Sequence, residues 1–374
     1  MIHVKALEKT QKGIRDFLDL PYRLYRKDPN WVPPLYAAQS RSLLGENNPL
    51  LVGEHQFFIA YEDERPVSRV LAGIDRRLNE RLDEQRGYIS LFETEENIDY
   101  ARAVLDAALD YLRGLGMKRV IGPNTPGFND FSKGLLAEGF DGAPVLFNPY
   151  NPPFYNDFFK EYGFAKHRDH YAYWLLLGDF PEDEFRKLGE MAQKRFQFHI
   201  KSVDPRRIDH QVLSDQMARV INEAFPADWE LVPPTKGDIA SEIKNFLNYT
   251  EPGLIVMAYA NERPIGLMVT FPDYNLLLKT NQGRLFPFGW LTMLIGRKSL
   301  RVARCSMLFV SPDYQNKAVT VAMAVAAHQN IRKLGIKAIE ASTIDETNIP
   351  SILSAERMGA KRYRVYRQYA KELL

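Results

Sequence analysis

The chain repeats itself. The segment Ala60-Tyr61-Glu62-Asp63-Glu64-Arg65-Pro66-Val67 returns 198 residues on as Ala258-Tyr259-Ala260-Asn261-Glu262-Arg263-Pro264-Ile265. Apolar runs flank both copies, so each reads as strand, polar turn, strand: a β-hairpin. A second echo sets Leu115-Gly116-Met117-Lys118 against Leu334-Gly335-Ile336-Lys337, 219 residues on. Apolar residues at helical spacing precede both, Ile98 to Leu112 in the first and Val321 to Ile331 in the second, and the glycine falls where a helix ends. A third, weaker echo sets residues 160–164 against 356–360, with an offset of 196. Three echoes in one order read as a duplicated module. The changing offset places insertions at 123–150 in the first copy and 271–299 in the second. The alternative is one large domain with recurrent turn chemistry.

Each half then runs helices, hairpin, strand, long helix, strand, short helix, strand. That order predicts an α/β fold in α+β layers around a mixed sheet. We place the domains at 1–178 and 179–374, dividing at Gly178-Asp179-Phe180-Pro181. No low-complexity linker separates them, so the halves are expected to pack tightly.

Composition excludes several classes. Of 374 residues, 45% are apolar and 26% charged, which is the balance of a packed globular chain. Lys and Arg number 49 against 47 Asp and Glu, so no whole-chain charge calls for nucleic acid, and none is expected as a partner. The single cysteine, Cys305, rules out an internal disulfide and suits a reducing compartment. It lies in an apolar run, as a buried thiol would. The N-terminus lacks a signal-peptide pattern, and no apolar stretch approaches the roughly 18 residues of a membrane span. The expected location is the cytoplasm, with a place at the membrane surface left open. The histidines show no zinc-type spacing, so no metal is expected, and His167-Arg168-Asp169-His170 reads as a strand lead-in. No Walker loop, dinucleotide fingerprint or hydrolase elbow occurs.

The element order, with Leu308-Phe309-Val310-Ser311-Pro312-Asp313-Tyr314-Gln315 and the helix from Asn348 to Ala360, resembles the GNAT superfamily of acyl-CoA N-acyltransferases. Further strings narrow the likeness to a bacterial tandem branch, some of whose members are implicated in long-chain N-acylation such as ceramide formation. They include Asp28-Pro29-Asn30-Trp31-Val32-Pro33-Pro34, Asn151-Pro152-Pro153-Phe154-Tyr155 and Arg284-Leu285-Phe286-Pro287-Phe288-Gly289-Trp290. The resemblance implies two tandem GNAT-like domains, each with a mixed central sheet flanked by helices. It implies acetyl-CoA or a longer acyl-CoA as co-substrate, held by Leu308, Phe309 and Val310 and by the loop Gln315-Asn316-Lys317-Ala318-Val319-Thr320. Backbone N–H groups opening a helix are what such a loop offers a pyrophosphate. The loop departs from the family's Gln/Arg-x-x-Gly-x-Gly/Ala in lacking both glycines. In the first half the matching stretch is Glu93-Thr94-Glu95-Glu96, whose carboxylates would repel pyrophosphate, so no CoA is expected there. The family's frequent proton-donating tyrosine is Ala355 here.

The resemblance makes Glu340 the candidate base, with Asp345 and Asn348 beside it. Asp345 also reads as a loop carboxylate before a helix. Trp229, Asp273 and Asn275 are the candidate substrate contacts, against core packing for the first and turn formation for the other two. The insertion at 271–299 is apolar-aromatic, then basic. That pattern fits an interfacial segment, a lid over an acyl chain, or a hairpin packing the halves together. The tail at 361–367 alternates cation and aromatic, as a solvated strand face or an anion-binding one. The resulting expectation is an acyl-CoA-dependent N-acyltransferase acting on a primary amine, with a small or lipid-like substrate. The alternative is an inactive tandem protein that binds a lipid, peptide or protein. Transfer from aminoacyl-tRNA is a third reading, which the near-neutral charge disfavours.

Overall fold

A computed structural model describes residues 1–46, 51, 53–124, 133–227, 229–246 and 250–373. The first half runs β1 (Ile2–Ala6), α1 (Arg15–Leu24), α2 (Tyr36–Leu43), β2 (His55–Glu62), β3 (Arg65–Gly73), α3 (Arg76–Leu82), β4 (Arg86–Thr94), α4 (Ile98–Gly114), β5 (Arg119–Gly122), β6 (Leu135–Glu138), α5 (Phe154–Glu161) and β7 (Ala165–Leu176). The second runs α6 (Glu182–Phe196), β8 (His199–Val203), α7 (His210–Ala224), α8 (Lys236–Phe246), β9 (Ile255–Ala260), β10 (Arg263–Pro272), α9 (Asn275–Thr280), α10 (Gly289–Gly296), β11 (Val302–Val310), α11 (Val319–Lys333), β12 (Ala338–Asp345), α12 (Ile349–Arg357) and β13 (Lys361–Glu372).

The three echoes land on equivalent elements. The twin hairpins are β2–β3 and β9–β10. The Leu-Gly pairs close α4 and α11, and Gly116 and Gly335 adopt φ of 79° and 78°, the left-handed cap that glycine enters without a β-carbon clash. The insertion of the second half builds α9 and α10.

The modules do not keep separate sheets. Their strands form one mixed sheet in the order β1-β2-β3-β4-β5-β13-β7-β12-β11-β10-β9-β8, with β6 added to β13. Each module's last strand has crossed into the other's run. β7 pairs with β12 and β13, while β13 pairs with β5 and β7. The boundary proposed at 178–179 follows β7 in sequence, but β7 itself lies among second-half strands. In each module the parallel pair is short: β4 meets β5 at 86–88, and β11 meets β12 at 302–305. Beyond those residues the strands diverge, and the 12-residue strands β7 and β13 supply the missing edges.

Helices cover both faces, so central strands are buried on both. On β9, Val256 and Ala258 join the cluster under α6 and α11, while Ile255, Met257 and Tyr259 join the cluster under α7, α8 and α9. Helix α4 buries Ala101, Val104, Leu105, Ala108 and Leu112 against the first half of the sheet, the stripe its spacing predicts.

Candidate functional site

Where β11 and β12 part, a cavity of about 260 Å³ opens. Its geometry follows from two local features. Register along β10 passes from Met307 to Cys305, so Ser306 is an extra residue, a bulge that bends β11 away from the ladder. Pairing with β12 has already stopped at Ala341. The floor is 305–309, the wall is Ile339 with 341–345, and the roof comprises Ala324, Ala327 and Ile331 of α11 with Ser354 and Ala355 of α12 and Met358 just past its end. Small residues on α11 leave the space. Leu175, Phe180 and Ala360 close the apolar interior.

The carboxyl ends of the strands form a polar mouth. His170 and Arg168 arrive from β7, the crossed strand. Arg168 bonds Asp345 at 3.0 Å and Glu230 at 3.1 Å. His170 Nε2 lies 3.7 Å from Asp345 Oδ2. Burial alone would raise the Asp345 carboxyl, but the N–H and hydroxyl of Thr347, with His170 and Arg168, more than reverse that and hold it below its ordinary value. Burial likewise opposes ionisation of Glu230, yet His167 and Arg86 bring it down to about 2. The mouth therefore holds fixed negative charge beside an imidazole. Among the described residues no group of three or more His, Cys, Asp or Glu converges as a metal site.

The sequence candidates divide between this cavity and other places. Leu308, Phe309, Asp345, Asn348 and Trp229 line it. Trp229 packs against Phe225 and Phe309. Asn348 also caps α12, accepting from Ser351 N at 3.2 Å. Val310 ends β11, and its carbonyl accepts from Gln315 Nε2 at 3.1 Å.

Past Gln315, Asn316 and Ala318 stand at φ of 61° and 56°, so the loop keeps a left-handed backbone without glycine. Val319 and Thr320 open α11, whose first turn no side chain caps. The ammonium of Lys317 lies over the rings of Tyr314 and Phe196, at 4.7 and 5.6 Å. An uncapped helix N-terminus entered by a left-handed turn, beside a lysine, fits a pyrophosphate.

The matching place in the first half is built differently. Asn97 caps α4 with its own side chain. Glu93 is enclosed by Tyr25 and Tyr155, whose hydroxyls donate to it, and faces Arg69 at 3.7 Å. Glu95 pairs with Arg23 and Arg65.

Glu340 lies elsewhere. It is fully buried on the face of β12 opposite the cavity, accepting from Asn148 and Ser342, each at 2.8 Å, and from Tyr363. Asp273 lines a second hollow on that face, with Trp174, Tyr363 and Arg364. It accepts from the backbone of Leu146 at 2.9 Å and of Asn275 at 3.1 Å. Burial pushes its carboxyl up to about 7. Asn275 donates to the Pro144 carbonyl at 2.7 Å. Asp273 and Asn275 thus tie β10 to the first half's insertion.

The residue that sequence reasoning passed over is His170. Its signal is the His-Arg-Asp-His cluster, which reads in the sequence as a strand lead-in and not as a metal site.

Residues 215–360 match the sequence model of the Acetyltransferase (GNAT) family. The chain is 28% identical to a protein named YghO of Escherichia coli strain K12, over 100% of this chain and 97% of that one. It is also 28% identical to a bacterial ceramide synthase of Caulobacter vibrioides, over 98% and 96%. Among solved structures, a tandem GNAT protein from the clavulanic acid biosynthesis pathway superposes with a TM-score of 0.60 at 11% identity, covering 100% of this chain and 99% of that one.

Proposed function

From a chain whose second half carries a GNAT-family domain within a tandem GNAT fold, we propose an acyl-CoA-dependent N-acyltransferase. It joins a long acyl chain to the primary amine of a lipid-like acceptor. The observation that carries the reading is the cavity in the β11–β12 gap, apolar in its depth and charged at its mouth. The ceramide synthase relative, similar over nearly its whole length, supports the same substrate class.

Bound acyl-CoA supplies the activated acyl group as a thioester. The chain's own residues do the rest. The loop at 315–320 holds the diphosphate on backbone N–H groups. The apolar interior takes the acyl tail and excludes water. The amine attacks the carbonyl carbon, the C–N bond forms, and the C–S bond breaks with its electron pair leaving on sulfur. A thiol's pKa near 8.5 makes that sulfur a fair leaving group without an acid, which suits a site with Ala355 in place of a tyrosine. The amine proton goes to His170, whose imidazolium Asp345 stabilises. Glu340 instead holds Tyr363, Ser342 and Asn148 together beneath the strand.

Calorimetry with CoA and palmitoyl-CoA, together with an acylation assay on a long-chain amine, tests this. Micromolar CoA binding and turnover are expected. His170→Gln should lower turnover by about 10²- to 10⁴-fold with CoA affinity unchanged. Absence of CoA binding would favour the second reading, an inactive binding protein, for which Ala318 and Ala355 are the specific observations.

A further inference from the structure

Most large apolar side chains of this protein are covered, but one segment breaks that rule. In the insertion between β10 and β11, Phe286 is 86% exposed, Phe288 74%, Ile295 67% and Leu276 59%, and Leu294 and Trp290 exceed half. Helix α10, sequence GWLTMLIG, buries none of its residues. A helix apolar all round is normally covered. The indole N–H of Trp290 is already satisfied, at 3.0 Å from the Pro287 carbonyl, which leaves the ring free to enter an apolar medium.

The charge around this face is one-sided. From 276 to 301 the sequence holds Lys279, Arg284, Arg297, Lys298 and Arg301 and no Asp or Glu. Arg284, Lys298 and Arg301 are exposed. Arg297 pairs with Glu251 at 3.4 Å, and Lys279 bonds the Pro29 carbonyl. A second copy set face to face on this patch would bring like charges together as its apolar groups met. An anionic lipid surface satisfies both features at once. The segment is also rooted beneath the floor of the cavity: Leu277, Leu278 and Met293 belong to the cluster that contains Met307 and Phe309, together with Trp229 of the lining.

We infer that residues 276–295 are a membrane-docking surface, which seats its aromatic and aliphatic side chains in the headgroup region of a bilayer bearing anionic lipid. Its purpose rests on the proposed lipid-like acceptor, whereas its physics does not.

Flotation of the full chain with vesicles decides the matter. Equimolar phosphatidylcholine–phosphatidylglycerol vesicles should carry the protein, and pure phosphatidylcholine vesicles should carry much less of it. The fluorescence of Trp290 should shift to the blue on binding, and Trp290→Phe should remove that shift. The variant F286S/F288S/W290S/I295S changes only exposed positions. It should lose vesicle binding by roughly tenfold or more while keeping its fold by circular dichroism and its CoA affinity. R284Q/K298Q/R301Q should bind less and lose most of its salt dependence. No binding to either vesicle by the wild type, or unchanged binding by the four-residue variant, overturns the inference. So does a stable wild-type dimer that the variant turns into a monomer, because the face then belongs to a second copy. Vesicle binding without CoA binding would keep this inference and sink the acyltransferase reading. CoA binding without vesicle binding would do the reverse.

Discussion

Ala318 holds a φ of 56°, a conformation that crowds a β-carbon against the backbone. It is the residue through which the chain enters α11, so its strain lies where the diphosphate would rest. Ala318→Gly should raise stability by a few tenths to about 1 kcal/mol, the glycine's greater freedom when unfolded offsetting part of the relief. Urea unfolding measures this, and a destabilised variant would show that the methyl packs usefully. CoA should bind at least as tightly. Asp273 poses a different problem. Its carboxyl is raised to about 7 by burial, so between its ordinary range and that value the folded chain holds a proton the unfolded chain has lost. Stability should therefore fall as pH rises across that window, and the cost is fully present above pH 7. Asp273→Asn keeps an oxygen that can accept from Leu146 and Asn275. It should flatten this pH dependence and stabilise the chain at pH 8 by about 1 kcal/mol or more. Thermal melts from pH 4 to pH 8 would show it, and a variant less stable at pH 8 would count against the account.

At the scale of elements, α12 sets the depth of the cavity. Ala355 faces the interior beside Ser351, Ser354 and Met358. A large side chain there would occupy the space proposed for the acyl tail. Ala355→Phe should leave transfer of short acyl groups within a few-fold and cut kcat/KM for palmitoyl-CoA by about tenfold or more. Equal losses for both chain lengths would place the acyl tail elsewhere. Such elements were well marked in the sequence. The hairpin turns, the Leu-Gly caps and the α4 stripe are local chemistry, and local chemistry repeats when a module repeats. The site was less legible. Asp345 and Asn348, candidates that only the resemblance offered, do line the cavity, though the sequence alone reads them as a helix start. Strand alternation shows that Glu340 and Ile339 face opposite ways, but not which way the cavity lies. The pairing of His170 with Asp345 depends on β7 crossing into the other module's run, and no spacing within either strand announces that. The exposed face of α10 was readable as apolar then basic, though its lack of burial was not.

For the whole molecule, that crossing makes the two halves depend on each other. β7 sits between β12 and β13, and β13 sits between β7 and β5, so each half completes the other's sheet. A fragment of residues 179–374 would carry the entire GNAT-matched region yet lose β7. β12 would lose one edge, and β13 would lose its neighbours on both sides. The mouth of the cavity would lose Arg168 and His170 together. A fragment of residues 1–178 would project β7 with no partner from its own half. Unpaired edges of such length favour aggregation over folding. The division at 178–179 nevertheless falls in an exposed turn, so a nick there breaks no strand. Each fragment made alone should therefore fail to show a cooperative thermal transition, and the 179–374 fragment should fail to bind CoA. Co-expressed, the two should recover a one-to-one complex with both properties. If residues 179–374 alone melted cooperatively and bound CoA as the intact chain does, the crossed strands would be dispensable. The role proposed for His170 of β7 would then fall to a residue of the second half.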